Sequence, residues 1–465
     1  MYHPRLISAS AVARVADSSS CRAIDWIILR IAKKSRADVF AITYSRTAAL
    51  IIRLALATHA SMIAKLSFVI LFIYGSFHWN SLGLSPVILI PGDGGSQLEA
   101  KLNKTSVVHY ICAKVSADYF NIWLNLELLV PFVIDCWVDN LRLEYDNVTR
   151  TTRSPPGVDV RIPGWGLPEP VEWLDPSHDK AGAYFNTISD MLVSIGYVRN
   201  VSLRGAPYDF RRAPNENGEF FVKLKALVEE TYNMNNQSAV TLMVHSMGGS
   251  MAMHFLRSQP QAWKKRYVRR MVSLSTPWGG AVKALKAFAI GDDLGSLVLR
   301  QSVLRAEQVT CPSLAWLLPS RALWPSTEVL VQTDKFNYTI DDFQKLFIDM
   351  GLPNAWEMRK DTERFSGDLT APDVEVHCIY GYNISTVERL KYKPGTWLDG
   401  TPTLVGGDGD GTVNLRSLRV CERWAKLSRN GGATVKSLPL RGAEHLKILH
   451  DPRVLDYVRT LLAQP

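Results

Sequence analysis

Short apolar runs, each ended by a turn-forming stretch, alternate along this chain with segments of helical pattern. Runs of this length indicate strands buried on both faces, and strands that alternate with helices indicate a mostly parallel sheet. A helical pattern at residues 415–427 separates the last two runs. We therefore predict an α/β fold. The candidate strands are residues 87–90, 240–244, 271–274, 374–380 and 434–440.

Two segments interrupt this alternation. Residues 281–370 mix apolar, Gly-Asp and Pro positions, and we predict that they form a cap or lid inserted over the carboxyl edge of the sheet. Residues 112–136 crowd apolar side chains between two cysteines. The pattern of this second segment allows two interpretations: a core helix broken at Pro131, or an apolar surface loop that lies in a lipid interface.

The beginning of the chain has the composition of a targeting sequence. Residues 1–61 are rich in Ala, Ser and Arg and poor in acidic residues, which predicts a leader outside the mature fold. A basic start and an apolar run at 66–74 follow, so we predict a secretory signal region over 62–83. This run is shorter than the about 20 apolar residues that span a bilayer; a short anchor or a buried strand is the alternative. Residues 84–465 remain as the folded domain.

Composition and charge exclude several classes of protein. With 47% hydrophobic and 21% charged residues, the chain has the profile of a folded globular protein and not of a disordered one. The formal net charge is +9, but residues 1–60 hold nine Lys/Arg and three Asp/Glu, so the rest of the chain is only +3. The basic excess therefore belongs to the leader, and we expect no nucleic-acid partner.

The glycosylation sequons and the cysteines both give information about the cellular compartment of the protein. Several N-x-[ST] sequons after a signal-like run favour the secretory pathway. Beyond the leader, five cysteines remain: two bracket the apolar segment, two bracket a later Asp-Gly cluster, and those pairings would leave Cys311 free, although spacing alone does not decide connectivity. No zinc-ligand pattern is present in the sequence, and we predict no metal or cofactor. The glycosylation candidates are Asn103, Asn147, Asn200, Asn236, Asn337 and Asn383.

The most specific motif is a nucleophile elbow around Ser246. Residues 244–248 match G-x-S-x-G with Val244 in the first glycine position, and they lie between a predicted strand and a predicted helix. Such a turn presents a serine hydroxyl above the sheet, while the small residues Gly248 and Gly249 allow the helix to approach. We predict that Ser246 is a nucleophile.

A serine nucleophile needs a base to accept its proton and an acid to orient that base. In α/β-hydrolases these follow in the order Ser, Asp or Glu, His, and Ser246, Asp410 and His445 give that order. Asp410 lies in an Asp-Gly turn and His445 follows the last predicted strand. Asp408 competes for the role of the acid, and sequence reasoning separates the two only weakly. The turn lacks the later ligands of an EF-hand calcium loop.

Acyl transfer also needs donors where negative charge develops on the substrate oxygen. The backbone N–H of Met247 supplies one, and the glycine-rich turn at 91–95 can supply another from Asp93; the alternative is that this turn is a connection only. Trp278 either lines an acyl pocket or fills core. The remaining histidines, including His245 and His254, are expected to be packing or surface residues.

Several sequence blocks together resemble one family. From about residue 86 onwards the chain resembles the group XV lysosomal phospholipases A and acyltransferases and, more distantly, the lecithin:cholesterol acyltransferases. The departures are the long leader, Gly249 where relatives often carry Asn, and the unpaired Cys311. The blocks that carry the resemblance are residues 91–93, 97–102, 122–127, 206–211, 245–248, 277–280, 407–414 and 444–445.

The resemblance implies an α/β-hydrolase fold with a cap and a membrane-binding subdomain at residues 109–140. It implies that Asp410 is the acid and that Asp93 and Met247 form the oxyanion hole. It also implies disulfides Cys112–Cys136 and Cys378–Cys421. The residues expected to contact lipid are Trp123, Leu124, Leu126 and Trp278.

From these observations we hypothesise a calcium-independent phospholipase A and O-acyltransferase. Ser246 takes an acyl chain from a glycerophospholipid at a membrane surface and passes it to water or to a lipid alcohol such as ceramide. The resemblance favours the lysosome, with secretion as the other location. Two alternatives are a secreted phosphatidylcholine-sterol acyltransferase and a catalytically silent lipid-binding protein.

Overall fold

The structure is a computed structural model that describes residues 84–293, 301–428 and 433–463. The predicted leader (1–61) and signal region (62–83) lie outside these residues. The strands are β1 Val87–Ile90, β2 Leu98–Leu102, β3 Phe120–Trp123, β4 Glu144–Asp146, β5 Thr151–Arg153, β6 Val158–Arg161, β7 Leu203–Gly205, β8 Val240–His245, β9 Val268–Leu274, β10 Val331–Gln332, β11 Asn337–Tyr338, β12 Glu375–Tyr382, β13 Ile384–Lys391, β14 Thr403–Gly409 and β15 Val435–Arg441. The helices are α1 Val133–Leu141, α2 Glu169–Glu172, α3 Asn186–Ser194, α4 Gly218–Met234, α5 Met247–Ser258, α6 Gln261–Tyr267, α7 Val282–Ile290, α8 Gln301–Gln308, α9 Pro312–Trp316, α10 Phe343–Asp349, α11 Pro353–Glu363, α12 Leu415–Leu418, α13 Val420–Ser428 and α14 Pro452–Leu462.

A six-stranded sheet in the order β15-β12-β9-β8-β1-β7 forms the centre of the fold. Every neighbouring pair in it is parallel. Parallel sheets need cover on both faces, and β1 shows how the sequence provides it. Ile88 and Ile90 pack into one hydrophobic cluster, while Val87 and Leu89 pack into another. The continuous apolar run of β1 therefore contributes side chains to the hydrophobic clusters on both faces of the sheet.

Helices cover each face of this sheet. Helices α4 and α5 contribute to the cluster that contains Ile88, and α3 and α14 contribute to the cluster that contains Val87. The α/β-hydrolase fold class is thus confirmed. The predicted strands are present within a few residues of the predicted bounds, while the edge strand β7 was not predicted, and the helix predicted at 415–427 is divided into α12 and α13.

The described residues of 281–370 supply most of a separate hydrophobic cluster, which includes Leu285 of α7, Phe347 of α10 and Met358 of α11. The strand pairing extends this region beyond the predicted boundary. A four-stranded sheet in the order β11-β10-β13-β14 joins two strands of the insertion to the hairpin formed by β13 and β14. The predicted cap is therefore packed together with a later part of the chain.

The apolar segment at 112–136 combines both of its predicted interpretations. Strand β3 and helix α1 pack into the core, and the chain between them exposes apolar side chains. Leu126 is 40%, Val130 47% and Phe132 71% exposed. Phe132 also has φ 71°, a backbone conformation that bulky residues rarely adopt. Between β3 and α1, the exposed apolar side chains therefore lie around Pro131.

Trp123 does not lie on that surface, which corrects its prediction as a lipid contact. The side chain is buried, and its Nε1–H donates to the carbonyl of Gly94 at 2.7 Å. The ring packs against Trp137 and Phe210 at centroid distances of 5.9 and 5.6 Å. Periodicity placed Trp123 in an apolar segment but did not indicate which side of the strand faces the core.

Both cysteine pairs implied by the resemblance are joined in the structure. The Cα atoms are 5.4 Å apart in Cys112–Cys136 and 6.4 Å apart in Cys378–Cys421. Cys311 is free and buried, and its thiol donates to Glu307. Among the described residues, no helix is both long and apolar enough to cross a membrane.

Replacing Cys378 and Cys421 together by alanine is expected to lower the free energy of unfolding by about 4 kcal/mol, because the cross-link joins residues 43 positions apart and limits the unfolded chain. Urea unfolding followed by tryptophan fluorescence measures this change. Cys311→Ala is the control, since it removes a thiol without opening a cross-link. Equal unfolding midpoints for the double variant and the unaltered protein would contradict the prediction.

Candidate active site

Ser246 lies at the sharp turn between β8 and α5. All six residues of β8 are buried, and the strand is held between β1 and β9. Ser246 has φ 54° and ψ −131°, a strained conformation that is typical of a nucleophile elbow. Its backbone N–H donates to the carbonyl of Leu274 at 2.9 Å. The turn is therefore fixed by the neighbouring strand.

Two glycines allow α5 to pack closely behind this turn. A Cβ atom on Gly248 would lie 2.3 Å from the carbonyl oxygen of Pro91, and one on Gly249 would lie 1.9 Å from Thr276 Oγ1. Neither distance is compatible with a side chain. The small residues predicted to permit close packing of the helix have that role in the structure.

His445 connects Ser246 to Asp410 through hydrogen bonds. The hydroxyl of Ser246 donates to His445 Nε2 at 2.9 Å, and His445 Nδ1–H donates to Asp410 Oδ2 at 2.8 Å. These three residues come from the ends of β8, β14 and β15, and Ser246 is 199 positions from His445. The arrangement can move a proton from the serine to the imidazole while the carboxylate fixes the tautomer.

Asp410, and not Asp408, faces this histidine. Asp410 is fully buried, and its Oδ1 accepts hydrogen bonds from the backbone N–H groups of Thr412 and Val413 at 3.0 and 2.7 Å. Burial opposes its ionisation, but the His445 imidazole and these donors together hold the pKa of Asp410 below its ordinary value. Asp408 is exposed and accepts instead from the backbone N–H of Asn383 at 2.6 Å.

The two residues predicted to form the oxyanion hole flank Ser246. Met247 is the first residue of α5, so its backbone N–H has no acceptor within the helix. Asp93 lies in a turn closed by a hydrogen bond of 3.1 Å from the N–H of Gly95 to the carbonyl of Gly92. This turn touches the serine, because a Cβ atom on Gly92 would lie 2.6 Å from Ser246 Cβ.

Asp93 has an unusual electrostatic environment. Its side chain is exposed to solvent. Desolvation by the surrounding protein, and then the nearby carboxyl groups of Glu307 and Asp292, raises the pKa of Asp93 to about 7. Below that pH the side chain is neutral and does not repel negative charge on a substrate oxygen.

Sequence reasoning missed a pair of buried residues that link the parts of the site. The N–H of Gly92 donates to the hydroxyl of Tyr184 at 3.0 Å, and that hydroxyl donates to His245 Nδ1 at 2.5 Å. His245 Nε2–H then donates to the carbonyl of His445 at 2.9 Å. Burial, and then the proximity of His445, lowers the pKa of His245 to about 3. The position of His245 immediately before Ser246 was the only signal in the sequence.

The lipid-contact candidates are divided between surface and interior. Leu126 is exposed and Leu124 is partly buried, whereas Trp278 is buried and packs edge-on against Trp424 at a centroid distance of 4.8 Å. The six predicted glycosylation sites all have exposed side chains. Within the described residues, no group of His, Cys, Asp and Glu side chains has the arrangement of a metal site.

Comparisons with known proteins agree with one another on the family. The sequence model of the lecithin:cholesterol acyltransferase family matches residues 119–452. Lysosomal phospholipase A and acyltransferase from Homo sapiens is 45% identical over 82% of this chain and 91% of its own length. Phosphatidylcholine-sterol acyltransferase from Gallus gallus is 40% identical over 78% of this chain and 87% of its own length.

A comparison with solved structures also returns matches. A chain of the Tle4–Tli4 complex aligns over 82% of this chain and 97% of its own length, with 15% identity and a TM-score of 0.43. The two relatives are 45% and 40% identical to this chain, and each alignment covers most of this chain and most of the relative. This chain therefore belongs to the lecithin:cholesterol acyltransferase family.

Proposed function

We propose that this protein is a calcium-independent phospholipase A and O-acyltransferase that uses Ser246 as its nucleophile. The observation that carries the proposal is the position of His445, whose two ring nitrogens lie 2.9 Å from the Ser246 hydroxyl and 2.8 Å from the Asp410 carboxylate. The names of the relatives, which include phospholipase and acyltransferase activities, support a phospholipid as the acyl donor.

In the first half of the proposed reaction, Ser246 Oγ attacks the ester carbonyl carbon while His445 Nε2 accepts the serine proton. Negative charge on the carbonyl oxygen is stabilised by the N–H groups of Met247 and Asp93. When the tetrahedral intermediate collapses, His445 donates its proton to the departing lysophospholipid oxygen. The acyl chain remains as an ester on Ser246.

The second half reverses these steps with a different alcohol. His445 removes a proton from water or from a lipid alcohol, whose oxygen attacks the acyl ester, and then returns the proton to Ser246 Oγ. Exclusion of water from the site favours the lipid alcohol. We propose a ceramide-like acceptor, which the resemblance of the sequence favours. We also propose a lysosomal location, in line with the name of the relative that is 45% identical.

A membrane-facing surface accompanies this chemistry. We propose that the exposed apolar side chains around Pro131, with Val130 and Phe132 at its centre, enter the lipid interface. Tyr110 and Ile111 precede Cys112, which the disulfide ties to Cys136 at the other side of this segment, and they are 89% and 43% exposed. The apolar surface is therefore larger than one loop.

Asp410→Asn is expected to lower kcat by roughly 10⁴-fold, because the amide cannot hold His445 in the tautomer that accepts the serine proton. Hydrolysis of a soluble p-nitrophenyl ester measures the loss. Asp408→Asn is the matched control two positions away, and we expect it to retain activity because the Asp408 carboxylate accepts from the backbone N–H of Asn383 and not from His445. Similar losses in both variants would contradict the assignment of the acid.

Ser246→Ala tests whether the protein is an enzyme or a catalytically silent lipid-binding protein. Incubation with a fluorophosphonate probe should label the unaltered protein and leave the variant unlabelled. Ser258→Ala, at the other end of α5, is the control and should label normally. An unaltered protein that takes up no label would end the catalytic interpretation.

Phosphatidylcholine vesicles that contain a short-chain ceramide test the acceptor. We expect both free fatty acid and acylceramide, with more product at pH 5 than at pH 7.5, because Asp93, whose pKa is about 7, is neutral at the lower pH. Replacing ceramide with cholesterol tests the sterol acyltransferase alternative. Fatty acid without acylceramide would refute the transferase half of the proposal, and a larger yield of cholesteryl ester would favour the alternative.

Phe132→Ser is expected to weaken binding to phosphatidylcholine vesicles by roughly tenfold, the effect of leaving one large apolar side chain out of the lipid. Vesicle flotation measures this, and hydrolysis of a soluble ester should be unchanged. Val222→Ser is the matched control on α4, because Val222 is 73% exposed against 71% for Phe132. Equal weakening by both substitutions would exclude a specific membrane-facing surface.

A further inference from the structure

A cavity of about 560 Å³ lies beside α5, beyond the turn that carries Ser246. None of Ser246, Asp410 and His445 lines it. Its walls come from α5, the loop after β9, α9 with the residue after it, α13, and the connection between α11 and β12. This volume is in the range of cavities that hold small ligands.

The interior of this cavity is aromatic and aliphatic. Trp278, Trp316 and Trp424 line it together with Met253 and Leu317. Trp424 also donates its Nε1–H to the carbonyl of Leu369 at 2.6 Å, which ties the connection after α11 to α13. Flat aromatic surfaces next to flexible aliphatic side chains are suited to holding an alkyl chain.

Cationic groups stand at one side of the same cavity. Arg364 is exposed and lies over the ring of Phe365 at 4.6 Å, and no carboxylate of the described residues forms a salt bridge with it. Arg257 donates to the carbonyls of Asp368 and Thr370, and its Nε is buried without a hydrogen-bond partner. Asp368 is the one acidic residue among the lining residues, and it lies 3.4 Å from Arg257.

The charges in the cavity are therefore not balanced within the described part of the chain. Two guanidinium groups face one carboxylate, and the His254 ring packs between Phe221 and Phe365. Burial, and then repulsion from Arg257 and Arg364, lowers the pKa of His254. A ligand with a negative group would meet complementary charge here.

We propose that this cavity binds a lipid with a single alkyl chain and an anionic head, with the chain against the tryptophans and the anion at Arg257 and Arg364. A fatty-acid carboxylate has this chemistry, and so does the phosphate of a lysophosphatidate. The site goes beyond the proposed function, because it lies apart from the residues that would perform acyl transfer and places a second lipid on the same domain.

Binding of cis-parinaric acid, a fatty acid that fluoresces in apolar surroundings, tests the site. The protein is first treated with a long-chain fluorophosphonate, so that the acyl position at Ser246 is already filled. We expect binding to persist after this treatment. Binding that disappears would show that the probe enters the catalytic site, which would overturn the proposal. The extent of labelling reports on the proposed function separately.

Arg364→Gln is expected to raise the Kd for parinarate by roughly tenfold, the effect of losing one charge-assisted hydrogen bond. Arg266→Gln is the matched control, because Arg266 is also exposed and also lies over an aromatic ring, that of Tyr267, at 5.1 Å. It lies outside the cavity and should leave the Kd unchanged. Equal Kd values for all three proteins would overturn the proposal.

The head group is tested by competition. Palmitate and lysophosphatidate should displace parinarate, and whichever does so at the lower concentration identifies the source of the anion. Hexadecanol and lysophosphatidylcholine should displace parinarate roughly tenfold less well, since neither carries a net negative charge. Equal displacement by the charged and uncharged lipids would refute an anion site. Hydrolysis of a soluble ester by Arg364→Gln verifies that the variant is folded.

Discussion

The strained backbone of Ser246 is the constraint around which the site is organised. A residue at φ 54° persists only when its surroundings hold it, and here three separate contacts do so. The buried strand β8 fixes the residue before it, the carbonyl of Leu274 accepts its N–H, and the turn at Gly92 packs against its Cβ. The hydroxyl is thus directed at His445 by the core of the sheet, before any substrate is present.

The same packing explains why His245 and Tyr184 matter. The helix and the oxyanion turn approach so closely that polar groups between them are enclosed, and each needs a partner. His445 offers only a carbonyl to His245 Nε2, which makes that nitrogen the donor and leaves Nδ1 to accept from Tyr184. His245 and Tyr184 together therefore connect the backbone of His445 to the turn that carries Asp93.

The sequence predicted best those features that depend on residues close together along the chain. The apolar run of β1 and the elbow at Ser246 are local patterns. Asp410 and His445 were proposed from the order Ser, Asp, His that α/β-hydrolases share, and the resemblance favoured Asp410 over Asp408. The side of β3 on which Trp123 lies was not predictable, because partners distant in sequence decide which face is buried. The hairpin of β13 and β14 was missed for a related reason: β14 reads TLVGGDG and is mostly exposed, so it lacks the apolar run that marked the other strands.

The shifted pKa values divide the ionisable groups of the site into those that change charge in mild acid and those that do not. Asp410 has a lowered pKa and remains ionised in a moderately acidic compartment, while His245, with a pKa of about 3, remains neutral there. The hydrogen bonds that fix His445 are therefore preserved. Asp93 and Glu307, both with pKa values raised to about 7 chiefly by desolvation, lose their charge over the same pH change. Acidification thus removes negative charge beside the oxyanion turn and leaves the framework around the nucleophile intact, a combination suited to acyl transfer at acid pH.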